Sequence, residues 1–166
     1  SGPSDGVKPN LVVRKGENHE VANAYVKVEN VNDFTSDSIA GITEFTCDGD
    51  INITADYYAV DFSFKVNSAH DVTVISEKAT GQFVVGSAYI NCTGKVTLRN
   101  EGQGALTHGS GITIRGAQDG VELYCKNATR MANGISIKNC KGDISIINEN
   151  GPIGDPSVSN NLTVGG

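Results

Sequence analysis

Asp48 and Asp50 flank Gly49, and Asp71 follows Asp50 by 21 positions. If the chain folds back on itself with that period, Asp50 and Asp71 stand one above the other. Stacked carboxylates repel unless a cation lies between them or solvent screens them, and oxygen donors of this kind suit calcium. Asp48, Asp50 and Asp71 are therefore the candidate metal ligands, as solvated turn acids or as a calcium site. Neither the EF-hand loop nor the Gly-Gly-x-Gly-x-Asp calcium nonapeptide occurs. His19, His70 and His108 fall in unrelated loops with no nucleophile or acid paired to them in sequence, so general acid–base chemistry finds no constellation. No Cys-x-x-Cys pair exists, which removes the usual zinc and dithiol patterns. Asn-x-Thr sequons place glycosylation candidates at Asn52, on an outward strand position, and at Asn127, in a loop; Asn91 and Asn161 also begin sequons, Asn91 at a structural position. The reading from these residues is of a protein that is not an enzyme and needs no cofactor beyond such a calcium ion.

What positions these residues is a repeat. An apolar–polar–apolar phrase begins at Val26, Ile51, Val72, Val96, Val121 and Ile144, at spacings of 25, 21, 24, 25 and 23. Alternation over so few residues marks a short strand with one buried face, and a fixed period in the twenties marks a solenoid. A second strand closes each coil, at Gly41-Ile42-Thr43, Gly86–Ile90, Gly111–Ile114, Gly134–Ile137 and Leu162–Val164. Between the two a lone apolar residue recurs: Val60, Phe83, Leu106, Met131, Ile153. Turn residues fill the rest. The expected fold is all-β, a right-handed parallel β-helix of about six coils with three short faces, over residues 25–166. Residues 1–24 form an extension or partial coil, in which Leu11-Val12-Val13 is the strand candidate. No helical stripe and no helical cap are found. The uncapped end predicts either a piece of a longer solenoid or a subunit that stacks on itself.

Aligned on this repeat, the columns acquire roles. Asn30, Ala55, Ser76, Asn100, Cys125 and Asn148 share one corner; Thr46, Asn67, Asn91, Gly116 and Asn139 share another. Stacked amides there would satisfy turn backbone groups. Cys47, Ser68, Cys92, Ala117 and Cys140 form a third column, so Cys47, Cys92 and Cys140 read as a buried cysteine ladder. Its members lie two coils apart, about 9.6 Å at strand spacing, too far for a disulfide. Cys125, in another column, is the candidate for a disulfide between subunits. Thr73, Thr97 and Ser145, and separately Thr43, Thr113, Ser136 and Thr163, are expected outward.

A net charge of −6 argues against nucleic acid and anionic membrane surfaces, and no apolar run is long enough to insert in a bilayer. The coil length and Asn corners resemble the right-handed parallel β-helix superfamily, the pectate-lyase-like fold, over roughly residues 25–164. The resemblance implies polysaccharide lyases or hydrolases, tailspikes and adhesins as relatives. The lyases set calcium-binding acids against an Arg or Lys base; here Arg99, Arg115 and Arg130 are scattered and face no acid cluster. In design, the small acidic stack also resembles self-stacking archaeal sheath or surface-layer subunits. The expected function is an extracellular, cell-surface structural protein that assembles with itself into a fibre, hoop, sheath or layer. The alternative is a carbohydrate-binding or adhesin module, with polysaccharide as its partner.

Overall fold

The computed structural model describes residues 6–16, 22–23, 26–41, 43–78, 83–154, 157 and 162–166. Its described strands, numbered in chain order, build a parallel β-solenoid of about six turns with no helix among the described residues. The first face is a seven-stranded parallel sheet of β1 (Leu11–Val13), β4 (Phe34–Ser36), β7 (Ile51–Ala55), β9 (Val72–Ser76), β11 (Val96–Asn100), β14 (Val121–Cys125) and β16 (Ile144–Asn148). Each strand pairs residue for residue with the next, as in Ile51↔Val72, Val72↔Val96, Val96↔Val121 and Val121↔Ile144.

The other two faces are joined through two long strands, β8 (Val60–Ser68) and β10 (Phe83–Asn91). Their register shifts between Val85 and Ser87, a bulge that turns each strand from one face to the next. The short second face holds β2 (Ala22–Asn23), β5 (Ile39–Ala40), the starts of β8 and β10, and β12 (Ala105–Thr107). The third face holds β3 (Val26–Val31), β6 (Thr43–Cys47), the remainders of β8 and β10, β13 (Gly111–Arg115), β15 (Gly134–Lys138) and β17 (Leu162–Val164). Alternation gives each strand one inward row. The rows of all three faces meet in a single apolar core, where the Phe34, Phe45 and Phe64 rings meet tilted and edge-on, at 4.7 and 5.6 Å between centroids.

Four register assignments differ from the sequence reading. Val26–Asn30 is not the first strand of the first face: β3 pairs with β6 on the third, and β1 and β4 take its place. Alternation reports one buried face but not which one. The spacing from Val26 to Ile51 matches a full coil only because the true coil, from Phe34 to Ile51, is shorter than the rest. Thr43 lies in the inward column of Phe64, Ala88 and Ile112, fully buried and donating to the Ser63 carbonyl. Ala69, not Ser68, fills the cysteine column, because the pairing of β6 with β8 slips by one residue between Phe45 and Thr46. The lone apolar column is split: Val84, not Phe83, lies level with Leu106, with Met131 buried beneath, while Val60 stands opposite Val85.

Candidate functional site

The acids identified from sequence belong to a ladder at the corner that leads into the first face. Asp50 and Asp71 do share a column, each directly preceding a paired strand start. The column begins two coils earlier, with Asn10 and Asp33. Each side-chain oxygen accepts the backbone N–H of the column residue in the next coil: Asp33 N–H to Asn10 Oδ1 at 3.1 Å, Asp50 N–H to Asp33 Oδ1 at 2.8 Å, Asp71 N–H to Asp50 Oδ1 at 3.0 Å and Lys95 N–H to Asp71 Oδ1 at 2.7 Å. Room for these oxygens comes from the residue before each recipient. A Cβ on Gly49 would overlap the Asp33 carboxylate, and one on Gly94 the Asp71 carboxylate. Where that residue is not glycine its side chain joins the bond: Asn32 Nδ2 reaches Asn10 Oδ1 at 3.1 Å, and His70 Nδ1 lies 3.0 Å from Asp50 Oδ1. The repulsion expected of stacked carboxylates is thus offset by backbone donors and an imidazole.

Asp48 is not brought into this cluster; it turns outward to Lys8 at 3.0 Å. The group whose ligand atoms converge, all within 4.8 Å, is Asp50, His70 and Asp71. His70 is held above its ordinary range, first by its hydrogen bond to Asp50 and then by the Asp71 charge. An Asp–His–Asp set offers one nitrogen beside carboxylate oxygens, a mixed donor set less suited to calcium than the all-oxygen set read from sequence. Sequence reading missed His70 because it treated the histidines as separate loops. The signal was its position, directly before Asp71 in the acid column, where Gly49 and Gly94 precede Asp50 and Lys95.

Cys47, Cys92, Cys125 and Cys140 are free thiols and all are buried. Burial pushes the Cys47 thiol up to about 11, with Asp48 and Asp33 adding to it, and pushes Cys92 and Cys125 up to about 12. Cys125 is 0 % exposed. It sits in register between Asn100 and Asn148 in the inward column that closes the first face, so a disulfide from it to another chain requires that corner to open. The amides beside it serve the turns. Asn148 accepts from Ala128 N–H and donates to the Ala128 and Pro152 carbonyls; Asn100 donates to the Ala105 carbonyl and accepts from Gly102 N–H.

Asn52 is exposed on the outer surface of the first face and Asn127 is exposed in a loop, whereas Asn91 is half-buried at a corner. His19, Ile42 and Asn161 lie outside the described residues. Arg99 is engaged on the outer surface of the first face, 3.1 Å from both Glu101 and Glu122 and stacked 4.0 Å from the Tyr124 ring centre.

A feature unread from sequence runs down the second face. Tyr58, Phe83, His108 and Asn133 recur once per coil at a constant spacing. The first three rings form a column, with centroids 6.0 and 4.9 Å apart. The Phe83–His108 pair separates two hollows, of about 520 Å³ and about 350 Å³. Thr107, Thr129, Arg130 and Asn133 line the larger; Asp61, Ser63, Ser87 and Ser110 line the smaller. Among the described residues Asn133 Oδ1 has no hydrogen-bond partner.

At the two ends the sheets stop at open edges. Among the described residues no strand lies beyond β1, β2 or β3 at one end, or beyond β16 and β17 at the other. The last coil leaves its inward apolar residues uncovered: Leu162 is 55 % and Val164 43 % exposed, and Ile144, Ile146 and Ile153 are only partly buried. The first coil does the same with Leu11, Val13 and Val26. Among the described residues no helix is long and apolar enough to cross a membrane. No family model, no curated protein and no solved structure matches the chain, so its likeness to other parallel β-helices is one of architecture.

Proposed function

We propose that this chain is an extracellular structural protein that stacks head to tail on copies of itself, extending both main sheets across the junction into a fibre, hoop, sheath or layer. The observation that carries this reading is the match between the two ends. On the first face the last coil ends in Ile144-Ser145-Ile146 and the first begins with Leu11-Val12-Val13; on the third face the last strand is Leu162-Thr163-Val164 and the first is Val26-Lys27-Val28. Three of them read apolar–polar–apolar; β1 has Val12 at its outward position but keeps the same inward phase, with Leu11 and Val13 in register with the stack between them. A second copy placed one strand spacing below would therefore cover the uncovered apolar rows with apolar rows and pair the open backbone edges. Such a contact is heterologous and yields filaments unless its rotation closes a ring. The buried thiols have no part in it, so assembly should not depend on reductant. Negative-stain electron microscopy and sedimentation across a concentration series test the proposal: ordered linear or closed assemblies support it, and particles of one chain's mass at every concentration overturn it.

The second reading is a carbohydrate-binding module. The hollows on either side of the Phe83–His108 ridge favour it, because they combine ring surfaces with hydroxyl, amide and charged groups. They lie on the side of the solenoid, away from Asp50 and Asp71. A glycan array on the wild type and on Phe83→Ala separates the two: loss of a wild-type signal in the variant supports this reading, and a blank array removes it.

A further inference from the structure

Every coil boundary along the acid ladder is closed by the same two bonds, one to a backbone carbonyl and one to a side-chain oxygen. The first strand residue of one coil donates its N–H to the column carbonyl of the next: Leu11 to Asp33 at 2.8 Å, Phe34 to Asp50 at 2.9 Å, Ile51 to Asp71 at 2.9 Å and Val72 to Lys95 at 2.9 Å. In return, the column N–H of the next coil donates to the side-chain oxygen above it, at 2.7 to 3.1 Å. The pattern has a direction. Column N–H groups point towards the first coil, and side-chain acceptors point towards the last. Continued in register, the column reads Asn10, Asp33, Asp50, Asp71, Lys95, Gly120, Asp143. Lys95 and Gly120 carry no acceptor. An acidic side chain returns at Asp143, in the coil beyond which no described strand offers it an N–H. Asp143 is exposed and its carboxylate makes no hydrogen bond to a described residue. At the other end Asn10 has the converse: its N–H and carbonyl lie on the open side of the first coil, with no described coil above them.

We infer that Asp143 and Asn10 form the register lock of the head-to-tail contact. The Asp143 carboxylate of one copy accepts the Asn10 N–H of the next, and the Ile144 N–H donates to that same Asn10 carbonyl, repeating the closure found four times within the chain. The inference rests on the stacking reading and adds to it a single register and polarity. Backbone pairing of short alternating strands tolerates slippage by two residues, which keeps apolar rows in contact. A carboxylate aimed at one N–H does not. The residue before Asn10 is Pro9, which is neither glycine nor a donor, so the junction rung has the two bonds and not the third contact seen at Asn32 or His70.

The test compares Asp143→Ala, Asp143→Asn and Asp119→Ala with the wild type. Asp119 is exposed one coil above the edge, so its replacement makes the same change in charge away from the junction. Sedimentation and light scattering give the critical concentration for assembly, and circular dichroism with thermal unfolding reports the fold of each variant. Asp143→Ala should raise the critical concentration about tenfold, the loss of one bond to a charged acceptor. Asp143→Asn retains an acceptor, as Asn10 does in the first rung, and should assemble within about twofold of wild type, as should Asp119→Ala. Assembly of Asp143→Ala at the wild-type concentration overturns the lock while leaving the stacking proposal intact. A wild type that does not assemble overturns both. A fall in assembly shared equally by Asp119→Ala assigns the effect to net charge and also overturns the lock.

Discussion

Gly94→Ala tests the ladder inside a single chain. An Ala methyl at this position would overlap the Asp71 carboxylate oxygen and would lie 2.8 Å from the His70 carbonyl oxygen and 2.9 Å from its carbon. The carboxylate can swing aside, but only by giving up its 2.7 Å bond to Lys95 N–H. The Asp71 side chain is 41 % exposed, so that loss is worth about 1 kcal/mol, below the usual range for a charged acceptor. The backbone of His70 is fixed in the ladder and cannot swing, which adds about 1–2 kcal/mol of overpacking. Alanine recovers about 0.5 kcal/mol through the less flexible unfolded chain. Gly94→Ala should therefore lower stability by about 2 kcal/mol, and Asp71→Ala alone by about 1 kcal/mol. The two effects share the Asp71–Lys95 bond, which can be lost only once. The double variant should accordingly be more stable than additivity predicts, by about 1 kcal/mol in a double-mutant cycle. Urea unfolding of the four proteins, followed by circular dichroism, measures this. Additivity within about 0.3 kcal/mol would mean that Gly94 does not make room for the Asp71 oxygen, and the account of the ladder would be wrong.

Phe45→Ala removes the fully buried middle ring of the three-phenylalanine row; urea unfolding should show a loss of about 3–5 kcal/mol. His70 should titrate above 6.5 by NMR, because Asp50 and Asp71 favour its charged form. Since the folded value is the higher one, its contribution to stability is complete below the unfolded value and is lost as pH rises through the folded value. His70→Asn should flatten unfolding midpoints across that window, and an unchanged pH profile would remove the Asp50–His70 contact from the account. All four thiols should resist a water-soluble disulfide reagent in the native state and react together in denaturant, as their burial and the raised values of Cys47, Cys92 and Cys125 require; fast native reaction at Cys125 would show that its corner opens.

The class of fold was legible because strand alternation and a period in the twenties are local properties, and five of the six phrase starts fall in register on one face. Val26 failed because burial alternates identically on every face of a solenoid. Only the pairing partner, Thr43 rather than Ile51, tells the third face from the first. Thr43 and Ser68 failed for a related reason. Coils of unequal length keep their strands in step while bulges and slips absorb the difference, and no local pattern records where a slip falls. The cysteine column was legible as small buried residues, yet the burial of Cys125 followed only from its place between Asn100 and Asn148.

For the candidate site, sequence by itself determined that Asp50 and Asp71 would stack, since both precede a strand start. It did not determine what relieves their repulsion. That depended on groups of the adjacent coils: His70 reaching back to Asp50, the space left by Gly49 and Gly94, and backbone N–H groups that face along the axis only once the coils are stacked. Likewise, sequence set the regular recurrence of Tyr58, Phe83, His108 and Asn133, but the hollows beside them exist only where the second face meets the bulged strands. A period along the chain fixes which residues become neighbours. The direction in which each donor and acceptor points is set by the backbone geometry of the finished coil, and that direction belongs to the tertiary structure alone.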